Sequence, residues 1–286
     1  MKWIKIGERW TVDSVKKGGG LLLFYLAVGW IVIVGMGAVL APWVSPYDPT
    51  TLDIQHILEA PSKWHWLGTD SLGRDLLSRI LYGARISLMV GFLAVGISTV
   101  IGILVGSLAG YGGGWGDRVI VAFIDLMLSF PTFFLIIAIT AASHQSGIVP
   151  IMIIIGLTSW MTTARLVRAQ ILKIKQMEFY MAAVAMNASA ARLIAVHLIP
   201  NALGPVYVTA TLGIAGAILV ESALSFLGIG IQPPTPSWGN ILTDGKMNVG
   251  YAWWQMLFPG LAIFLTVFSY YIVGDALREK MESGKR

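Results

Sequence analysis

Long apolar stretches separated by short polar segments make up most of this sequence. A membrane-spanning α-helix needs about 20 mostly apolar residues, and six stretches reach or approach that length: roughly 20–44, 85–110, 119–142, 147–164, 203–225 and 253–274. The fourth is the shortest and ends in a polar run from Thr158 to Arg165. The pattern predicts an all-α integral membrane protein with six transmembrane helices.

The composition agrees with this prediction. Of 286 residues, 56% are hydrophobic and 12% are charged, and the mean hydropathy is +0.74. These values exclude a soluble globular domain, a disordered chain and a nucleic-acid-binding protein. The 32 glycines suit helices that approach each other closely in lipid.

Cysteine is absent, which excludes disulfides, thiolate metal sites and cysteine nucleophiles. The four histidines are scattered and form no helical zinc-binding pair. We therefore expect no metal site and no catalytic residues in this chain. A phosphate-binding loop is also missing: the nearest approach runs from Gly239 to Met247 with the wrong spacing and no hydroxyl at its end.

The placement of basic residues predicts the orientation. Fifteen Lys and Arg fall in the two terminal segments and alternate loops, and only four fall in the opposite loops. By the positive-inside rule both termini are cytoplasmic. The first apolar run is too long for a signal peptide and is expected to stay as a helix. The predicted division is a cytoplasmic segment 1–19, a first span 20–44, an outer segment 45–84, a core 85–275 and a cytoplasmic tail 276–286.

Two carboxylates fall inside predicted spans, Asp125 in the third and Glu221 in the fifth. Ionisable residues in the bilayer are expensive and mark functional sites by default. Each has two interpretations, a hydrogen bond to a neighbouring helix or a position along a translocation path.

The cytoplasmic segment 176–202 is too long for a turn between spans. It predicts two short helices, Glu178–Met186 and Ser189–Leu198, joined at Asn187-Ala188 and closed by Pro200. Asn tolerates the left-handed conformation that such a turn needs. Its alanine-rich surface fits a groove on another protein, and the alternative is an interfacial helix lying on lipid.

The outer residues also have local interpretations. The run Gly68-Thr69-Asp70 with Gly73 predicts a turn and cap before a helix that enters the second span. Arg74 and Asp75 are adjacent and could form a local ion pair. Trp238, Trp253 and Trp254 are typical of an interfacial aromatic belt.

The segment 181–200 resembles the cytoplasmic signature of the integral permease subunits of ABC importers, E-A-A, three residues, G, nine residues, I-x-L-P. Its register falls on Met181-Ala182-Ala183, Asn187 and the run from His197 to Pro200. Met181, Asn187 and His197 replace the usual Glu, Gly and Ile.

Further motifs resemble the dipeptide/oligopeptide/nickel subfamily, and specifically its six-span C-type permease. They are Trp66 to Asp70 with Gly73-Arg74-Asp75 and Gly83 to Leu88, Asp125 with Ser129-Phe130-Pro131, His197 to Leu203, and Glu221 to Gly228 with Gln232 to Gly239. Together they cover most of residues 45–275.

The resemblance implies the type I ABC importer transmembrane fold in a bacterial or archaeal inner membrane. It also implies a second related permease chain, two ABC ATPase subunits that hold ATP and Mg, and an external solute-binding protein. This chain would hold no cofactor itself and would contact the lipid bilayer and no nucleic acid. Its substrate would be a short peptide or a related small solute such as a nickel chelate, glutathione or an opine.

The resemblance also implies residue roles. The ATPase-coupling residues would be Met181, Ala182, Ala183, Asn187, Ala188, His197 and Pro200. Residues that dock the binding protein would be Trp66, Asp70, Arg74, Pro234 and Trp238. Asp125 and Glu221 would be the path candidates. The rival hypotheses are a stand-alone ion-coupled carrier or channel and, more remotely, a membrane enzyme.

Overall fold

A computed structural model describes residues 19–143 and 147–283. The predicted N-terminal segment up to residue 18, and His144, lie outside the described residues. The described chain is mostly helical. We label its main helices α1 (Gly19–Val44), α2 (Leu76–Gly112), α3 (Gly114–Ser129), α4 (Thr132–Ser143), α5 (Ile148–Ile174), α6 (Glu178–Ala185), α7 (Ala190–Phe226), α8 (Trp238–Gly245) and α9 (Trp254–Ser283).

Five of these helices are long and apolar enough to cross a membrane, namely α1, α2, α5, α7 and α9. The helices α3 and α4 pass the same test only as a pair, and they meet at an angle of 85°. Counting the pair as one broken span gives six, as the hydropathy pattern predicts.

The prediction of a continuous third span over 119–142 is wrong. Phe130 separates α3 from α4 and has an extended backbone, with φ −89° and ψ 132°. The cause is Pro131, because a proline ring disfavours the helical conformation of the residue before it and provides no N–H for the helix.

Close backbone packing joins α2 to α5. Three glycines one turn apart on α2, Gly102, Gly106 and Gly110, face α5. A Cβ on Gly106 would lie 2.5 Å from the carbonyl oxygen of Ala164, and one on Gly102 would lie 2.6 Å from Cβ of Thr163. Only glycine leaves room here, which is the small-residue packing typical of membrane helices.

The cytoplasmic segment differs from its prediction in one respect. The first short helix exists as α6, but the second is not a separate helix closed by Pro200. It is the first part of α7, which passes through a π-helical stretch, Leu193–Leu198, and continues to Phe226. Pro200 lies in the first turn after that stretch. In an α-helix the ring of Pro200 would clash with the carbonyl of the residue four positions earlier. The wider π turn places that carbonyl farther from the ring, so the helix does not end.

Candidate functional site

A cavity of about 350 Å³ lies midway along three helices, α2, α5 and α7. Its lining is rich in hydroxyl groups, which come from Ser98, Thr99, Ser159, Thr162, Thr163 and Thr209. The other lining residues are small or aliphatic, and among the described residues no charged side chain lines the cavity. The volume is within the range of about 300–1,000 Å³ that small ligands occupy.

The polar run of α5 provides part of this lining. Thr158 and Ser159 donate their hydroxyl hydrogens to the carbonyls of Ile154 and Ile155, one turn earlier, at 2.7 Å each. This pairing satisfies the hydroxyls inside the helix, so α5 does not end where the polar run begins and continues to Ile174. Three residues of the polar run that shortened the predicted fourth span, Ser159, Thr162 and Thr163, therefore line the cavity.

Asp125 does not line the cavity. Its side chain is 57% exposed and accepts a hydrogen bond from Nη2 of Arg165 on α5, whose side chain is 54% exposed. Of its two interpretations, this contact supports the bond to a neighbouring helix. Its assignment to a translocation path stays a prediction.

Glu221 is fully buried but also lies off the cavity. Its Oε1 accepts hydrogen bonds from the hydroxyls of Ser225 and Ser237, both at 2.8 Å. Ser237 also caps α8 by accepting from the N–H of Asn240 at 3.2 Å. Glu221 therefore connects the outer loop to α7, and its assignment to a path also stays a prediction.

A buried ion cluster lies at the outer end. Oδ2 of Asp70 accepts from Nε of Arg74 at 2.6 Å and from Nη1 of Arg79, and Oδ2 of Asp244 accepts from both arginines at 3.0 Å. The Asp70 and Arg79 side chains are each 1% exposed. Two arginines face two aspartates, so the charges of the cluster are balanced. Through Asp244 the cluster joins the outer segment to α8.

The local ion pair between Arg74 and Asp75 is not formed. Asp75 instead caps α2, because its Oδ2 accepts from the N–H and the hydroxyl of Ser78 at 2.8 and 2.7 Å. Its Oδ1 lies 3.0 Å from Nδ1 of His65. The predicted turn before the second span is confirmed, with positive φ at Gly68 and Gly73, but the cap residue is Asp75 and not a residue of the 68–73 run.

The residues expected to dock a binding protein divide into two groups. Trp66 is 67% exposed and Pro234 is exposed. Asp70, Arg74 and Trp238 are at most 5% exposed, so this chain offers them to no partner. Trp254 is also buried, and of the predicted aromatic belt only Trp253 is exposed.

The turn between α6 and α7 has the geometry that its sequence predicts. Asn187 has a positive φ of 55°. The N–H of Asn187 donates to the carbonyl of Val184 at 2.9 Å, and the N–H of Ala188 donates to the carbonyl of Ala183 at 3.1 Å. These two bonds form a Schellman cap, in which Asn replaces the usual glycine.

The cytoplasmic side of this turn is exposed and apolar. Met181 is 52% exposed and Met186 is 78% exposed, and Ala182, Asn187 and Pro200 are exposed too. Ala188 and His197 are half-buried. Ala183 is only 3% exposed because it packs inward, so it belongs to the hydrophobic core and not to the surface.

Helices of membrane-spanning length surround a cavity at mid-span, and a short helix and turn lie exposed at one end. The chain belongs to the family of binding-protein-dependent transport system inner membrane components, which it matches over residues 102–283. It is therefore the transmembrane permease subunit of an ABC importer and a multi-pass protein of the cell membrane. The comparisons favour this function over a stand-alone carrier or channel.

Several relatives are similar to this chain along most of their length. The chain is 40% identical over 257 residues to the dipeptide transport system permease protein DppC of Alkalihalophilus pseudofirmus, covering 89% of this chain and 84% of that protein. It is 36% identical over 252 residues to the oligopeptide transport system permease protein OppC of Bacillus subtilis, covering 88% and 82%.

The fold is similar to that of a solved importer. A chain of the inward-facing MetNI methionine ABC transporter superimposes with a TM-score of 0.56 at 20% identity, and the alignment covers 69% of this chain and 94% of that chain. This similarity confirms the type I importer fold that the motifs imply.

Proposed function

We propose that this permease forms the path for short peptides, working with a related second permease chain, two ABC ATPase subunits that bind ATP and Mg, and an external solute-binding protein. The observation that carries the proposal is the uncharged, hydroxyl-lined cavity at mid-span. It occurs in a chain whose relatives are named as dipeptide and oligopeptide permeases.

The cavity chemistry suits a peptide. A hydroxyl both donates and accepts, so it can pair with either the N–H or the C=O of a peptide backbone. Without a fixed charge in the lining, side chains of either sign are neither held nor repelled strongly. Such a path tolerates many peptide sequences and leaves selection to the binding protein.

The helix α7 would transmit movement of the ATPase subunits to the cavity. The helix begins directly after the exposed turn at Asn187 and contributes Thr209 and Gly213 to the cavity. We propose that Met181, Ala182, Asn187, Ala188, His197 and Pro200 lie in or beside an ATPase groove. Movement of the ATPase dimer would then shift α7. Pro131 and Pro205 are the proposed hinges.

The binding protein would contact the outer side. Trp66 and Pro234 are the expected residues that remain exposed there, and both stand on segments fixed by the ion cluster and the Glu221 bonds. A rigid, exposed aromatic residue is a frequent anchor of protein interfaces.

The test compares two adjacent positions of α2 in the assembled transporter. Thr99 lines the cavity, whereas Val100 is 57% exposed on the outside of the helix. Thr99→Phe is expected to abolish ATP-dependent uptake of a labelled dipeptide by proteoliposomes, and Val100→Phe is expected to retain it. Equal uptake by the two variants would contradict the path, and uptake without ATP would contradict the importer mechanism.

A further inference from the structure

Two histidines and a glutamate of the outer segment converge. His56, Glu59 and His65 each offer one ligand atom, and these three atoms lie within 4.8 Å of one another. Nε2 of His56 and Oε2 of Glu59 are 3.9 Å apart, and the two imidazole rings have centroids 5.6 Å apart. The sequence conceals this group, because a spacing of three and then six residues matches no metal-binding motif.

Each imidazole has a carboxylate beside its Nδ1. Nδ1 of His56 lies 2.7 Å from Oδ2 of Asp53, and Nδ1 of His65 lies 3.0 Å from Oδ1 of Asp75. Metal-binding histidines almost always have such a partner, which fixes the tautomer and the ring orientation. In both histidines Nε2 is the nitrogen left to bind a cation.

The backbone around these residues is held by Thr69. Its hydroxyl accepts from the N–H of Glu59 at 2.8 Å and donates to the carbonyl of His56. Its own N–H donates to the carbonyl of Glu59 at 2.9 Å. Two of the three ligand-bearing residues are therefore fixed to the same residue, which keeps them together before any ion binds.

We propose that His56, Glu59 and His65 bind one divalent transition-metal ion of the zinc class on the outer face of this permease. Two imidazoles and one carboxylate are a donor set that zinc prefers, whereas magnesium and calcium take oxygen ligands. Tetrahedral zinc with bonds of about 2.0–2.1 Å brings neighbouring ligand atoms to about 3.4 Å. The side chains of His56 and Glu59 are 44% and 30% exposed, so they have the freedom to close that gap. Water completes the coordination.

The ion would act as a structural clamp. Asp75 supports His65 through one oxygen and caps α2 through the other. A metal at His65 therefore connects the 53–65 stretch to the first turn of a helix that lines the cavity.

The test uses the full chain in lipid nanodiscs, stripped with a chelator and titrated with Zn²⁺ against a chromophoric competitor. The buffer is mildly alkaline, because the hydrogen bond to Asp53 raises the pKa of His56 and protons compete for the same nitrogen. We expect one Zn²⁺ per chain. Excess Mg²⁺ should not displace it.

Three exposed or partly exposed positions give variants that are expected to fold. His56→Ala and Glu59→Gln each remove a ligand and should weaken Zn²⁺ binding by about 100-fold, and Asp53→Asn, which removes only a supporting carboxylate, by about 10-fold. Gln55→Ala, at an exposed position next to His56, is the matched control and should bind Zn²⁺ as the unaltered chain does.

Hydrogen exchange provides a second measurement. Zn²⁺ should slow amide exchange over residues 53–75 in the unaltered chain and not in His56→Ala. Absence of stoichiometric Zn²⁺ binding, or unchanged affinity in both His56→Ala and Glu59→Gln, would overturn the proposal.

Discussion

The two ends of this permease differ in which side chains they bury and which they expose. At the outer end, residues 45–75 and α8 form a cap in which Asp70, Arg74 and Arg79 are buried and paired. At the inner end, α6 and the following turn leave Met181 and Met186 mostly exposed. The outer end buries charged groups within one chain, whereas the inner end exposes apolar side chains of a short helix and its turn.

The difference follows from what each end contacts. The outer cap binds to itself across long sequence distances, as the pairing of Arg74 with Asp244 shows. Of α6, only Tyr180 and Ala183 are buried. Exposed methionines suit a partner surface because their side chains adapt to irregular shapes.

The largest effect is expected from breaking the outer cluster. Asp70→Ala leaves two buried arginines with one carboxylate and removes bonds to the backbone N–H groups of Leu72 and Arg74. The free energy of unfolding in nanodiscs should fall by about 3–5 kcal/mol. Asp48→Ala, at an exposed outer position, should lower it by about 0.5 kcal/mol or less. Similar losses in both variants would show that burial of the cluster contributes nothing.

The next effect tests the inner surface. Met186→Asp places a charge on the exposed turn, so the chain alone should keep its stability. Burying that charge against an ATPase should cost about 3 kcal/mol, or on the order of 100-fold in affinity. Co-purification of ATPase subunits measures it. Met247→Asp is the control, since Met247 is 81% exposed in the outer loop and should leave co-purification unchanged. Retention of the ATPases by Met186→Asp would contradict the coupling role.

A smaller effect is expected in the helix pair that connects the two ends. Gly106→Ala forces α2 away from the backbone of α5 and should lower the free energy of unfolding by about 1–3 kcal/mol. Gly96→Ala adds the same methyl on the same helix where nothing lies within 4 Å. Because alanine favours a helix over glycine by about 1 kcal/mol, that variant should be no less stable than the unaltered chain. Thermal unfolding of the two variants measures this difference, and equal stability of both would contradict the close packing of α2 against α5.

The smallest effect compares one chemistry at two degrees of burial. Arg165→Gln breaks the exposed pair with Asp125 and should change the free energy of unfolding by at most about 1 kcal/mol. Arg74→Gln breaks a pair of the same kind inside the outer cap and should have an effect several times larger. Equal losses of stability in the two variants would contradict the expectation that an exposed ion pair contributes less than a buried one.

Local chemistry explains which features could be predicted. The spans follow from runs of apolar residues, and the Asn187 turn follows from one residue type that tolerates a positive φ. The break at Pro131 has a local cause too, because proline constrains the residue before it, but the apolar residues on both sides of it are together long enough for one span.

Long-range pairings could not be predicted in the same way. Arg74 has an adjacent aspartate in sequence, yet it pairs with Asp70 and with Asp244, 170 residues away. Nothing local distinguishes the correct carboxylate. The cavity hydroxyls had a signal, a polar run in the middle of an apolar helix, but polarity alone does not separate the end of a span from the wall of a cavity.

The π-helical stretch of α7 sets a rotational phase. A π turn holds about one residue more than an α turn, and each residue of an α-helix advances about 100° around the axis. The stretch Leu193–Leu198 lies between the exposed turn and the cavity. Removing one residue from it would restore α spacing and swing the inner turn by about 100° relative to Thr209 and Gly213. The direction in which the turn faces is thus encoded by the length of this stretch, independently of any residue that a partner touches.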